Sequence, residues 1–390
     1  MSQFDQIYDR RGTGSVKYDL LEAEGWSEDT LPLWVADMDF PAPACAGEAL
    51  RELSRPGIFG YSFPDERYQA AVTGWFARRF GWKPQGEWLV ETPGVVFALC
   101  TAVRAFTQPG DAVACLPPVY PHFFEAASDN GRRPVYSPLK QVEGRYEIDF
   151  DGLAALLERE KPKLLILCSP HNPAGRVWTR AELERLGRLC LEHGVIVAAD
   201  EIHCDFTYPG HPHTPYLSLG EDFAARAIAC TAPSKTFNLA GLQCSNVWIP
   251  DQGLRRAFRR ELTAQGVSGV NAAGRAACRA VYEQGEGWLE ELLVYLRGNY
   301  EFLKAFLERE LPELKVSPLE GTYLAWVDAR GLGLDQQGLD SLLRRARVWF
   351  NDGAGFGPGG EGFWRVNLAC PRSVLTQALE RIRDAVSTAK

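Results

Sequence analysis

The 390-residue chain has no apolar run long enough to span a bilayer. Its N-terminus, "MSQFDQIYDRRGTG", is polar where a secretory leader carries an apolar stretch. Both absences lead to the expectation of a cytoplasmic protein. No long run of one charge occurs either: 50 acidic and 42 basic residues are mixed along the chain, for a formal net charge of -8. That balance provides no electrostatic footprint for nucleic acid. There is no CxxC pair among the 10 cysteines, which stand singly from Cys45 to Cys370 and read as buried reduced thiols, several in apolar runs such as "LLILC" and "AIAC". An HExxH motif is also missing. His203, His211 and His213 cluster in a Pro- and Gly-rich loop without helical register, so no metal site is expected. Internal repeats and low-complexity segments are absent.

With 46% hydrophobic residues, the chain can fill the cores of two domains. From about Gly86 to Pro250, short β-rich runs alternate with helical patterns, the signature of βαβ units around a mostly parallel sheet. The strand candidates are "EWLVE", "DAVACLP", "RPVYSPL", "KLLILCSP", "VIVAADE", "AIACTA" and "QCSNVWI", which makes seven. Among the helices, "DGLAALLERE" is amphipathic, and "TRAELERLGRLCLEHG" opens on a Thr N-cap and ends at Gly194. A long amphipathic helix, "EGWLEELLVYLRGNYEFLKAFLEREL", is stopped by Pro312. After it come the strands "YLAWVDA", "VWFNDG" and "FWRVNLAC", separated by helical segments. The expected organisation is an N-terminal segment (1–45) packing on the small domain or a partner subunit, a large α/β domain (46–285) and a smaller α+β domain (286–390).

In an open parallel sheet, ligands sit beyond the C-terminal ends of the strands. The residues there form a coherent set. After "EWLVE", Gly94 permits a tight turn and a helix begins at about Val95, whose free N–H groups suit a phosphate. After "DAVACLP", Tyr120 offers an aromatic face. Asn172 follows "KLLILC" in a Pro-rich turn. "VIVAADE" is apolar until Asp200, and a carboxylate there is costly without a cationic or hydrogen-bonding partner such as a protonated pyridine nitrogen. "AIACTAPSK" brings Lys235 to the same edge, where partial desolvation favours the neutral amine. Alone, Lys235 reads as a surface charge; beside the others it completes the set of groups that pyridoxal 5'-phosphate requires of a protein.

The motifs "SPHNPAGRVW", "ADEIH" and "SKTFNLAGL" resemble the class I/II aminotransferase-fold enzymes of fold type I, over nearly the whole chain. More locally, "LPLWVADMDFPAP", "FGYSFPDE", "EGTYLAWVD", "NDGAGFG" and "VNLACPR" resemble the MalY/PatB branch, carbon–sulfur lyases of the cystathionine β-lyase type. The resemblance implies that Lys235 binds the cofactor covalently, Asp200 holds its ring nitrogen protonated, Asn172 meets its ring oxygen and Tyr120 stacks on the ring. It places Gly94, Val95, Val96 and Ser234 at the phosphate and His203 near the ring oxygen, with Lys235, Asp200 and Tyr120 as the catalytic residues. At the substrate it implies Arg365 on the α-carboxylate, together with Tyr323 and Tyr61, the latter reaching a neighbouring subunit's site and so implying a homodimer. Two departures from many aminotransferases stand out. His203 replaces a tyrosine, and Gln243 replaces a phosphate-binding arginine, so phosphate binding leans on backbone N–H groups and Tyr61.

The resemblance implies cleavage of L-cystathionine or a related cysteine S-conjugate to a thiol, pyruvate and ammonia. Amino transfer to a 2-oxo acid uses the same residues and stays open on the residues alone. The group that protonates the leaving sulfur stays open too, between Tyr120 and Lys235. A third reading adds a binding role, the capture of a transcription factor, to the enzyme.

Overall fold

All seven strand candidates of the alternating region pair into one sheet in the computed structural model, which describes residues 2–388. In chain order they are β1 (Leu89–Thr92), β2 (Ala112–Cys115), β3 (Arg133–Tyr136), β4 (Leu164–Cys168), β5 (Ile196–Asp200), β6 (Ala227–Thr231) and β7 (Ser245–Trp248). Their spatial order is β1-β7-β6-β5-β4-β2-β3. β7 runs antiparallel to both its neighbours, and the other pairings are parallel. Every residue of β4, β5 and β6 is buried, as strands covered by helices on both faces must be. The covering helices include α1 (Val95–Phe106), α2 (Phe150–Glu160) and α3 (Arg180–Glu192). Thr179 caps α3 as expected: its hydroxyl accepts the Glu182 N–H while the Glu182 carboxylate takes the Thr179 N–H.

Helix α4 (Glu286–Glu310) leads into a four-stranded antiparallel sheet of β8 (Lys315–Val316), β9 (Leu324–Asp328), β10 (Asn351–Asp352) and β11 (Phe363–Asn367), ordered β8-β9-β11-β10. The single strand expected over "VWFNDG" is split. Val348–Trp349 pairs in parallel with Leu31–Pro32, whereas Asn351–Asp352 joins β11. Phe350, between them, is buried in the apolar cluster of this sheet. The aperiodic N-terminal stretch is thereby fastened to the smaller sheet, although Phe4 reaches into the other core beside Phe40 and Trp288. A two-residue turn at Glu143 and Gly144, both at positive φ, joins the short strands Lys140–Val142 and Arg145–Glu147, which the sequence pattern did not show.

A buried ion network bolts the loop after β4 to the approach to β9. Glu320 accepts from Arg176 Nε (2.8 Å), Arg145 Nε (2.7 Å) and the Val177 N–H (3.0 Å). Burial alone raises the Glu320 carboxyl, but the Val177 N–H and the two guanidinium groups outweigh it and hold it below the usual carboxylate range. The Glu320→Ala variant leaves the buried Val177 N–H without its acceptor and Arg176 with Glu182 as its remaining carboxylate (3.0 Å), and urea unfolding is expected to show a loss of about 2–3 kcal/mol.

Candidate active site

The ends of β1, β2, β4, β5 and β6 open on one cavity of about 430 Å³. Because β7 runs the other way, its start, rather than its end, reaches the same place, which brings in Gln243 and Cys244. Gly94 precedes α1 at φ 155° and ψ 159°, a conformation that a side chain disfavours. The N–H groups of the first turn of α1 have no partner within the helix, so this end of the cavity is a cup of backbone donors. Val95, Val96 and Ser234 line it as well.

The loops that carry the polar groups are tied to one another. Tyr120 N–H donates to the Asn172 carbonyl (3.2 Å), joining the ends of the adjacent strands β2 and β4. Lys235 sits in the short turn Pro233–Thr236 after β6. That turn is anchored by the Thr236 hydroxyl donating to Asp205 Oδ2 (2.7 Å), whose Oδ1 accepts from Trp75 Nε1 (3.1 Å). Arg365 comes from β11 of the smaller sheet. Its Nη1 donates to Asn172 Oδ1 (3.2 Å), and its Nη2 donates to the Trp34 carbonyl (2.9 Å) and to Asn351 Oδ1. The site thus spans both sheets.

Burial dominates the electrostatics. It raises the Asp200 carboxyl to about 7, against the lowering effect of the Ile202 N–H and of Lys235. It lowers the Lys235 amine to about 8, with the Arg365 charge adding to the effect, and lowers the Arg365 guanidinium to about 10. His203 is pushed well below its ordinary value by burial and by the charges of Lys235 and Arg365, so it is a neutral imidazole. Burial raises Tyr120, which keeps its hydroxyl protonated.

Ten of the twelve residues expected at the site line the cavity: Gly94, Val95, Val96, Tyr120, Asn172, Asp200, His203, Ser234, Lys235 and Arg365. Tyr323 does not. It is fully buried, with its hydroxyl donating to the Ala36 carbonyl (2.9 Å), so it stands behind the wall rather than at a substrate. Tyr61 is fully exposed on a loop outside the cavity of its own chain. Several lining residues escaped the sequence reading, among them Trp34, Ala36, His122 and Asn351. Trp34 stacks on Trp349 with ring centroids 4.0 Å apart. The signal for Trp34 and Ala36 was "LPLWVADMDF", which carries no periodicity. His122 and Asn351 had no signal beyond their neighbours Tyr120 and the split strand.

These residues fit pyridoxal 5'-phosphate. Asp200 is a buried carboxylate that forms no ion pair among the described residues and accepts the Ile202 N–H (3.0 Å), so a protonated ring nitrogen supplies the charge it lacks. The Asn172 amide oxygen is used by Arg365, which leaves its NH2 to donate to a ring oxygen. The buried His203 Nδ1 and Arg365 Nε have no hydrogen-bond partner among the described residues. The cup at α1 suits a phosphate.

Asp200 also sets a pH test. A carboxyl whose folded value is raised contributes stability that is complete below its unfolded value near 4 and is lost as pH rises through about 7. In the cofactor-free protein, the Asp200→Asn variant is therefore expected to be more stable than wild type by about 4 kcal/mol at pH 8 and by under about 2 kcal/mol at pH 5. Urea titrations at the two pH values check the difference, and an equal gain at both sinks the assignment of the strain to Asp200.

The Aminotransferase class I and II family model matches residues 28–382. Cystathionine beta-lyase PatB of Bacillus subtilis is 46% identical over 385 residues, covering 98% of this chain and 100% of that protein. Protein MalY of Escherichia coli is 32% identical over 390 residues, 99% of each chain. The solved structure of the PLP-bound C-S lyase from Staphylococcus hominis is 35% identical, with a TM-score of 0.92 over 98% of this chain and 97% of that one. With this match over nearly its whole length and a cavity whose residues fit the cofactor, the chain belongs to the class I and II aminotransferase family, as a pyridoxal-phosphate-dependent carbon–sulfur lyase of the PatB and MalY kind.

Proposed function

We propose that the cavity cleaves L-cystathionine or a related cysteine S-conjugate at the Cβ–S bond, giving a thiol, pyruvate and ammonia. The observation that carries this reading is the meeting, in one cavity, of a half-buried amine lowered to about 8, a buried carboxylate and an arginine whose Nε has no partner among the described residues. When bound, pyridoxal phosphate supplies an electron sink for the Cα carbanion and so lets a β-substituent depart. The N–H groups at the start of α1, with Ser234, hold its phosphate; Asp200 takes the ring nitrogen, Asn172 and His203 the ring oxygen, and Tyr120 the ring face. Lys235 binds it covalently at rest. Arg365 fixes the substrate α-carboxylate, which gains a buried guanidinium whose Nε is free to donate. Lys235 Nζ, once free, removes the Cα proton. Two proton donors then face the leaving sulfur, the Lys235 ammonium and the Tyr120 hydroxyl.

We further infer a cytoplasmic homodimer with shared sites. Ile58, Phe59, Tyr61 and Phe63 are exposed by 78%, 73%, 109% and 77% on one loop, an apolar cluster that a monomer rarely leaves open. A second copy covering it carries Tyr61 to the partner's phosphate cup. No helix among the described residues is long and apolar enough to cross a membrane.

The Lys235→Ala variant is expected to lose both the visible cofactor band and turnover, and a purified variant that keeps both rules out the site. L-cystathionine should yield one pyruvate per molecule cleaved with no 2-oxo acid present; a strict need for such an acceptor makes the protein an aminotransferase. The shared site is tested by refolding Lys235→Ala and Tyr61→Ala subunits together. Each hybrid then has one intact site, so activity returns on mixing, and its failure to return places Tyr61 outside the site.

A further inference from the structure

Residues 34–38 have no regular structure and line the cavity through Trp34, Val35 and Ala36, yet each of their five carbonyls accepts a side-chain hydrogen bond. Arg365 Nη2 donates to Trp34 (2.9 Å), and Asn367 Nδ2 donates to both Val35 and Asp37 (2.6 Å each). Asn238 Nδ2 donates to Met38 (3.0 Å). The Ala36 carbonyl accepts twice, from Lys235 Nζ (2.6 Å) and from Tyr323 Oη (2.9 Å). This is an irregular strap held in place by side chains from both sheets.

The double contact at Ala36 has a chemical consequence. A carbonyl oxygen has two lone-pair directions. Tyr323 occupies one, and its own direction is set by a fully buried ring lying edge-on to Phe206 (centroids 4.8 Å apart) and to His203 (5.7 Å). The Ala36 peptide is thus oriented from behind, and its second lone pair is presented to Lys235. An amine that donates an N–H to this oxygen turns its own lone pair away from the strap. That is the arrangement a base needs, and the same oxygen receives the ammonium after the proton has been taken.

We propose that Tyr323 is a positioning residue for the free Lys235 amine, acting through the Ala36 carbonyl. The inference rests on Lys235 being the base, and it replaces the substrate contact expected for Tyr323 from sequence. Tyr323 touches no cavity surface, so its hydroxyl acts on proton transfer and leaves substrate affinity alone.

The test follows exchange of the Cα hydrogen of L-alanine in deuterated water by proton NMR, with the holoenzyme. Alanine has no leaving group, so exchange reads proton abstraction whether or not the enzyme is a lyase. The Tyr323→Phe variant is expected to keep its cofactor band and its apparent KM for alanine, while its saturated exchange rate falls by roughly two- to tenfold, the range of one net hydrogen bond. The control is Tyr208→Phe, which removes an equally buried hydroxyl, bonded to the Thr322 carbonyl (2.9 Å), that does not touch the strap. Its exchange rate should equal that of wild type. An unchanged rate in Tyr323→Phe, a loss confined to KM or cofactor occupancy, or an equal loss in the Tyr208 control overturns the proposal. A Lys235→Ala variant that exchanges like wild type overturns the assignment of the base, and the inference with it, whereas an inactive Lys235→Ala beside an unaffected Tyr323→Phe overturns the inference alone.

Discussion

Desolvation around one cavity is the constraint on which the site depends. Asp200, Lys235 and Arg365 all lose water there, and burial is what moves each of them furthest from its ordinary proton affinity. The usual remedy is a direct ion pair, but none joins the three to one another among the described residues. Lys235 is instead drawn to the Ala36 carbonyl, and Arg365 to two amide oxygens and the Trp34 carbonyl. The groups therefore remain unneutralised, and every tenfold change in proton affinity that burial imposes corresponds to about 1.4 kcal/mol. On the proposed reading, a pyridinium at Asp200 and a substrate carboxylate at Arg365 would relieve that cost, so what destabilises the empty protein would become affinity for its ligands.

Holding such a site open requires rigidity from elsewhere. The fully buried central strands fix the positions of Asp200 and of the turn that carries Lys235, while Arg365 arrives from the other sheet. The two sheets are joined at the cavity by the strap at 34–38 and elsewhere by the Glu320 network, both built from side-chain bonds.

The large sheet was legible because each strand is a compact apolar run and every parallel pair needs a helix between, which leaves a regular rhythm. Five site residues, Gly94, Tyr120, Asn172, Asp200 and Lys235, were legible for the same reason: sheet topology alone puts strand ends together. The strap was not. Its structure comes from Asn367, Asn238, Tyr323 and Arg365, between 200 and 332 positions away, and no local period records such partners. "VWFNDG" misled for a related reason. A continuous apolar pattern cannot reveal that its halves pair with different strands. The antiparallel course of β7 hid Cys244 as a wall residue, since a strand end and a strand start look alike in sequence. Tyr323 sits in "EGTYLAWVD", whose resemblance to a family does not say on which side of the wall the ring lies.

The tuning of Lys235 bears on how a carbon–sulfur bond is broken here. Proton transfer is efficient when donor and acceptor have similar affinities for the proton. At about 8, the amine lies close to the ordinary value of a thiol, about 8.5. On the proposed reading, in which Lys235 takes the Cα proton, an amine lowered in this way passes it to a departing thiolate more readily than an unshifted one. An unshifted lysine, near 10.4, would hold that proton more tightly than the sulfur by about 2.6 kcal/mol. On the proposed reading, the lowered proton affinity of Lys235 serves both halves of an elimination: it frees the amine to act as a base near neutral pH, and it makes the resulting acid one of the two candidate donors to the thiol.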